Sequence, residues 1–226
     1  MIAVVGSAYD ERALRIVAHW GSRSAAVLSA EDLCRPGWVL RVPPGPPPTA
    51  VIGGRTVPAE RIRGILTLRP CVFPEELAHI QAAHRQYVAA ELSAFLLAWL
   101  TAQSCPVLNR PTACCLAGPN WRPEQWTQAA GRLGIPAQSR RHVPNGNPVG
   151  RAEETLEVVA VGEQCFGCAD SVLRDRTLKL ARAAGVDVLS VRFSADRGHF
   201  RSANVWPSLA DPVVLEAVRQ LLETSP

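Results

Sequence analysis

The sequence predicts an α/β protein, with a parallel-sheet domain at the N-terminus packed on a smaller α+β part at the C-terminus. Two observations carry that prediction. The chain opens with a short apolar run, an amphipathic helical pattern and a second apolar run, the signature of a βαβ unit. Further on, residues 155–207 pass through an apolar run (156–161), a Gly-rich turn with Cys165 and Cys168, a helix (170–184) and a strand (186–193). A polar turn and a last strand follow, entering Asn204 and stopping at Pro207.

The bulk numbers fit an ordinary globular chain. Its 226 residues can bury a core as one domain or two, and 47 % hydrophobic with 19 % charged residues carries no disorder signature. The longest apolar stretch, 95–100, is far too short to span a bilayer. The N-terminus lacks the basic segment and cleavage site of a signal peptide, so the expected home is the cytoplasm. A net charge of +4 is spread along the chain, without the basic runs interleaved with aromatics of a nucleic-acid groove. Seven cysteines are an odd number, so free thiols are expected rather than a disulfide framework. Lys179 is the sole lysine; every other basic side chain is arginine or histidine.

In chain order, residues 2–6 read as a buried strand ending at a lone Gly6, with no Gly-rich fingerprint around it. Leu14, Val17 and Ala18 mark a helix over 10–20, and 25–28 a second strand. A strand at 39–42 runs into the proline-rich segment 43–48, expected as a stiff surface connector. Gly53-Gly54 inside 50–57 predicts a tight hairpin, and 62–68 another strand, ending at Arg69-Pro70. The pattern over 74–103 predicts one long helix, with Glu75 and Glu76 in its first turn and an apolar face of Leu77, Ile80, Leu92, Leu96 and Trp99. On that helix His79 and His84 would point about 140° apart, excluding a shared metal. A short strand leads to Asn109-Arg110-Pro111, and a helix opens near Trp121 with Pro123 in its first turn. Residues 138–154, rich in Gly, Pro and Arg, read as a linker.

Taken together, these segments resemble the ATP-grasp proteins, carboxylate–amine and carboxylate–thiol ligases. The likeness is collinear and covers about two-thirds of the chain. It rests on the Arg69-Pro70 strand end, the helix around 85–91, the stretch from Pro106 to Pro111, the turn from Gly118 to Trp121, the helix ending at Gly134-Ile135-Pro136, and the closing helix, strand, Asn204 and Pro207. The resemblance implies a pre-ATP-grasp-like domain over 1–105 and a reduced ATP-grasp-like domain over 106–226.

The departures matter as much. The family's phosphate-holding lysine lobe should lie between Pro136 and Thr155, where only about twenty residues stand and none is lysine; a lobe with its own sheet needs several strands of about five or six residues. Lys179 lies inside the helix 170–184. The family's last strand carries a glutamate and an asparagine that hold magnesium; here Ser202 replaces the glutamate, and Asn204 and Pro207 remain. Arg192 falls where the preceding strand has an acidic ligand, and a cation there repels a metal that wants oxygen ligands. ATP and magnesium are therefore not expected as cofactors.

The expected function is a degenerate, non-catalytic binding or scaffolding subunit of a biosynthetic ligase or modification system, paired with itself or with another protein. Its candidate interface is Trp121, Trp126 and Trp206, since aromatic residues anchor interfaces; ordinary core packing is the competing account of all three. A second reading keeps an active ATP-dependent carboxylate–amine ligase, with Arg192, Asn204 and Arg110 as site candidates and Arg140 and Arg141 toward nucleotide, arginine forks replacing lysine. A third makes Cys165 and Cys168 a metal or redox pair. Neither a nucleophile elbow nor a convergent carboxylate pair points to a hydrolase.

Overall fold

Three sheets organise the computed structural model, which describes residues 1–40, 48–137, 154–207 and 209–224. The chain opens with β1 (Ile2–Val5), α1 (Glu11–Trp20), β2 (Ala25–Leu28) and the single-turn α2 (Ala30–Leu33). A hairpin of β3 (Thr49–Ile52) and β4 (Arg55–Pro58) precedes β5 (Gly64–Thr67), α3 (Arg85–Thr101) and β6 (Val107–Leu108). Next come α4 (Pro123–Arg132), β7 (Thr155–Val161), β8 (Gln164–Phe166), α5 (Ser171–Ala184), β9 (Val188–Ser194), β10 (Phe200–Asn204) and α6 (Pro212–Thr224). By contacts the chain forms two compact units: Met1–Asn120 with Ser208–Pro226, and Trp121–Pro207.

In the first unit the strands pair in parallel in the order β2-β1-β5-β6, the sheet that the opening βαβ pattern predicts. Both faces of such a sheet need cover. Ala3, Val5, Ile65 and Val107 pack with Leu96, Trp99 and Leu100 of α3 and with Ala50, Ile52 and Val57 of the hairpin. Ile2, Val4 and Leu66 alternate to the other face, beside the buried Ile16 and Trp20 of α1 and Val218 and Leu222 of α6. Trp20 Nε1 donates to the Leu215 carbonyl (3.3 Å), tying α1 to α6. The hairpin turns on Gly53 and Gly54, φ 58° and 75°, where a Cβ would be strained. Buried Asp32 fixes it: one oxygen closes a capping box with Ser29, and the other accepts from the Gly54 N–H (2.7 Å).

The single helix expected over 74–103 breaks into 3₁₀ turns at Pro74–Glu76 and Ala82–His84, and only Arg85–Thr101 is α-helical. Tertiary bonds replace helical ones here. Glu76 turns inward to Arg69 and takes the Phe73 N–H (3.1 Å), Leu77 is fully buried, and Arg85 reaches back to the carbonyls of Ile80 (2.8 Å) and Ala78 (3.0 Å). His79 accordingly sits outside any helix. Of the strand expected at 39–42, Val39 makes an isolated bridge to Thr49. The segment 41–47 and most of the expected linker (138–153) lie outside the described residues.

The second unit is an antiparallel sheet in the order β10-β9-β7-β8. Its inner face carries Val158, Ala160, Leu189, Val191, Phe193 and Phe200, which pack on Trp126 and Ala130 of α4 and Leu173, Leu180 and Ala181 of α5. Asp170 caps α5 by accepting from Val172 N (2.8 Å), and Gly185 ends it in the left-handed conformation. No described helix is long and apolar enough to cross a membrane.

Candidate functional site

The polar groups of the second unit gather on the sheet face turned away from α4 and α5. Residues alternate sides along a strand. With Val158 and Ala160 inside, β7 turns Glu157 and Val159 outward; with Leu189, Val191 and Phe193 inside, β9 turns Ser190 and Arg192 outward. On β10 a bulge at Arg201 inserts one residue, so Phe200 pairs with Phe193 but Ser202 pairs with Arg192 and Asn204 with Ser190. Two rows result: Glu157, Arg192 and Ser202 across three strands, then Val159, Ser190 and Asn204.

Glu157 is the centre of this arrangement. The buried Ser190 hydroxyl donates to its Oε1 at short range, and Arg192 Nη2 lies 3.9 Å from its Oε2. Asn204 is turned into its own corner: its Nδ2 donates to the Trp206 carbonyl (2.8 Å) and its Oδ1 accepts from the Trp206 N–H (2.9 Å). Sequence reading names Arg192 and Asn204, which lie on this face, and does not name Glu157 and Ser190 beside them. The signal for Glu157 is its polar side chain at an outward position of the otherwise apolar run 156–161.

The remaining candidates fall elsewhere. Trp126 is buried in the second unit's core, and Trp121 and Trp206 are partly buried against it; the Trp121 and Trp126 rings lie 4.6 Å apart. Arg110 is exposed after β6, and Arg140 and Arg141 lie outside the described residues. Cys165 stands on β8, its Sγ 3.7 Å from the Arg174 carbonyl, and Cys168 follows in the connection to α5. Burial pushes the Cys165 thiol up despite nearby Arg174, the opposite of what a reactive thiolate needs. Among the described residues no group of three or more His, Cys, Asp or Glu is arranged to hold a metal. Lys179 pairs with Asp175 on the solvent-facing side of α5 (2.7 Å). In the first unit, a cleft of about 460 Å³ at the carboxyl ends of β1 and β2 is lined by Ser7, Tyr9, Ser29, Arg35, Glu76 and His79 among the described residues.

A parallel-sheet unit followed by an antiparallel unit is an arrangement shared with solved structures of ATP-grasp-like fold. The macrocyclase MdnC of Microcystis aeruginosa MRC, solved with its precursor peptide MdnA, superposes with a TM-score of 0.69 at 11 % identity, over 99 % of each chain. The ATP-grasp ligase PsnB, solved with a minimal precursor, gives 0.68 at 12 % identity, over 97 % of this chain and 98 % of that one. A RiPP-associated ATP-grasp ligase of Chryseobacterium gregarium, in complex with ADP and a leader and core peptide, gives 0.63 at 10 % identity, over 100 % and 97 %. No protein-family model and no curated protein sequence matches the chain.

That fold implies ATP and magnesium, and the described face does not fit the metal. Glu157 is the single carboxylate among its described strand residues, and its oxygens face a serine hydroxyl and a guanidinium. The Asn204 oxygen already accepts a backbone N–H. Magnesium requires several oxygen ligands in near-octahedral array, and the fixed cation of Arg192 opposes it.

Proposed function

We propose that this chain is a non-catalytic, ATP-grasp-like binding subunit that holds a peptide or protein for a biosynthetic ligase system. The observation that carries the reading is that the oxygen ligands of the polar face are engaged, with Glu157 bonded by Ser190 and faced by Arg192 while Asn204 is closed on Trp206. Support comes from the structural relatives, three of which were solved with precursor, leader or core peptides. Within the proposal, residues 1–105 correspond to the pre-ATP-grasp-like module and 106–226 to a reduced ATP-grasp-like module without the lysine lobe, with β6 and α6 of the latter packed into the first unit. Trp121 and Trp206, partly exposed beside buried Trp126, anchor the protein partner or a second copy. Isothermal titration with ATP tests the reading: no saturable, magnesium-dependent heat and no turnover are expected, and either one overturns it.

A second reading, an active carboxylate–amine ligase with an unconventional site, draws on the retained Asn204 and Pro207 and on relatives described as ligases. It requires activity that disappears in folded Arg192→Ala and Asn204→Ala variants; Arg110, Arg140 and Arg141 would then be examined for phosphate contact. Unchanged activity in both variants removes those roles.

A further inference from the structure

The parallel sheet of the first unit gathers arginines that lie far apart in the chain. β1 runs between β2 and β5, with Ile2 in register with Ala25 on one side and Gly64 on the other. Arg23 stands just before β2, and Arg61 and Arg63 just before β5. Backbone bonds hold both approaches in place: Ile2 N–H donates to the Ser24 carbonyl (2.7 Å), and Arg63 N–H to the Met1 carbonyl (2.8 Å). At the amino ends of these strands lies a cleft of about 540 Å³, lined by Arg23, Ser24, Glu60, Arg61, Arg63 and Glu223. The three arginines are exposed and make no ion pair or side-chain hydrogen bond among the described residues. Of the two carboxylates, Glu223 is already engaged by Arg219 (3.2 Å). Positive charge collected in a cleft and left unpaired draws anions to it.

Resting on the reading of the chain as a binding subunit for a peptide or protein, we infer that this cleft takes an acidic segment of that partner, two or more carboxylates meeting the three guanidinium groups. Each planar fork of donors matches the two oxygens of a carboxylate. Arg23 and Arg63 are anchored on either side of β1, two strand spacings or about 10 Å apart. That separation suits charges spread along a chain better than one compact anion. Glu60 and Glu223 sharpen the choice. Their negative charge penalises the dense charge of a phosphate group more than separate carboxylates, and Glu60 can accept backbone N–H groups of the bound segment.

The test uses the full chain and a blocked peptide of alternating Glu and Gly, against the same peptide with Gln for Glu, titrated in EDTA. The Glu peptide should bind about tenfold or more tightly, the scale of one or two charge-assisted contacts, and raising the ionic strength should weaken it. The triple variant Arg23→Gln, Arg61→Gln, Arg63→Gln should lose the preference, and Glu60→Gln should tighten binding. A charge-matched triple variant on other surfaces, Arg55→Gln, Arg132→Gln, Arg197→Gln, should keep the preference. Circular dichroism checks that each variant is folded. Equal binding of the two peptides, a preference that survives in the cleft variant, or equal loss in both triple variants overturns the site. Tighter binding of tripolyphosphate or of a single-stranded oligonucleotide than of the Glu peptide overturns the acidic-segment assignment. The ATP titration reads magnesium-dependent heat and turnover, whereas this one reads a metal-free charge preference, so the two ideas fail separately.

Discussion

Asp10 illustrates how much one side chain can contribute to this fold. Its carboxylate accepts the Arg12 N–H (2.9 Å) at the start of α1 and is bracketed by the Arg12 guanidinium (2.9 Å). Partial burial pulls its pKa up, but the Arg12 hydrogen bonds and charge outweigh that and hold it below the usual carboxylate value. A carboxylate lowered in the folded state stabilises above its unfolded pKa, near 4, and loses that contribution as pH falls through the folded value. Asp10→Ala should therefore cost about 0.5–2 kcal/mol near neutral pH, as helix caps do. The deficit should shrink when denaturant unfolding is repeated in acid. A deficit that stays constant down to strongly acidic pH would assign the effect to packing instead.

At the scale of elements, a buried ion pair and two glycines explain why the strands and helices meet where they do. The Arg69 guanidinium, 6 % exposed, contacts Glu76 and the Cys71 and Gly6 carbonyls, so it clamps the carboxyl ends of β1 and β5 to the turn before α3. Removing one partner strands a buried charge, and Glu76→Ala should cost about 3–5 kcal/mol. Arg69→Met with Glu76→Leu should recover much of that loss in the same unfolding measurement. Gly64 of β5 has no room for a side chain: an added Cβ would lie 2.8 Å from the Leu222 carbonyl oxygen and Cβ in α6. Gly64→Ala should destabilise by about 1–3 kcal/mol through this overpacking. Gly131 is exposed on α4 and an added Cβ would meet nothing within 4 Å, so Gly131→Ala should stabilise by about 0.5–1 kcal/mol, the helix-propensity difference. Opposite signs in thermal unfolding would verify both; a neutral Gly64→Ala would show that α6 yields.

For the whole molecule, the chain path matters more than any one contact. After building the antiparallel unit it returns, and α6 covers the parallel sheet of the first unit rather than the sheet that precedes it. Deleting residues 209–226 should therefore weaken hydrogen-exchange protection in β1 and β5 while sparing β7 and β9. The reverse pattern would contradict the placement of α6.

Local sequence determined a good deal of this architecture. Contiguous apolar runs, the Gly53-Gly54 turn, the Asp10 and Asp170 caps and the Gly185 stop mark most of the strands and helices, because each depends on neighbours within a few residues. Arg192 and Ser202 are visible as departures from the ATP-grasp ligand pattern and Asn204 as a match to it, but their partners are not. Glu157 and Ser190 join them only through strand pairing over tens of residues, and the bulge at Arg201 sets which β10 side chains face that way. The break before α3 likewise depends on Arg69 drawing Glu76 inward, a contact the helical period of 74–103 does not encode. Hydrogen bonds and ion pairs between distant segments are made after the elements meet. The elements were therefore legible from sequence, while the network that defines the polar face was decided by tertiary structure.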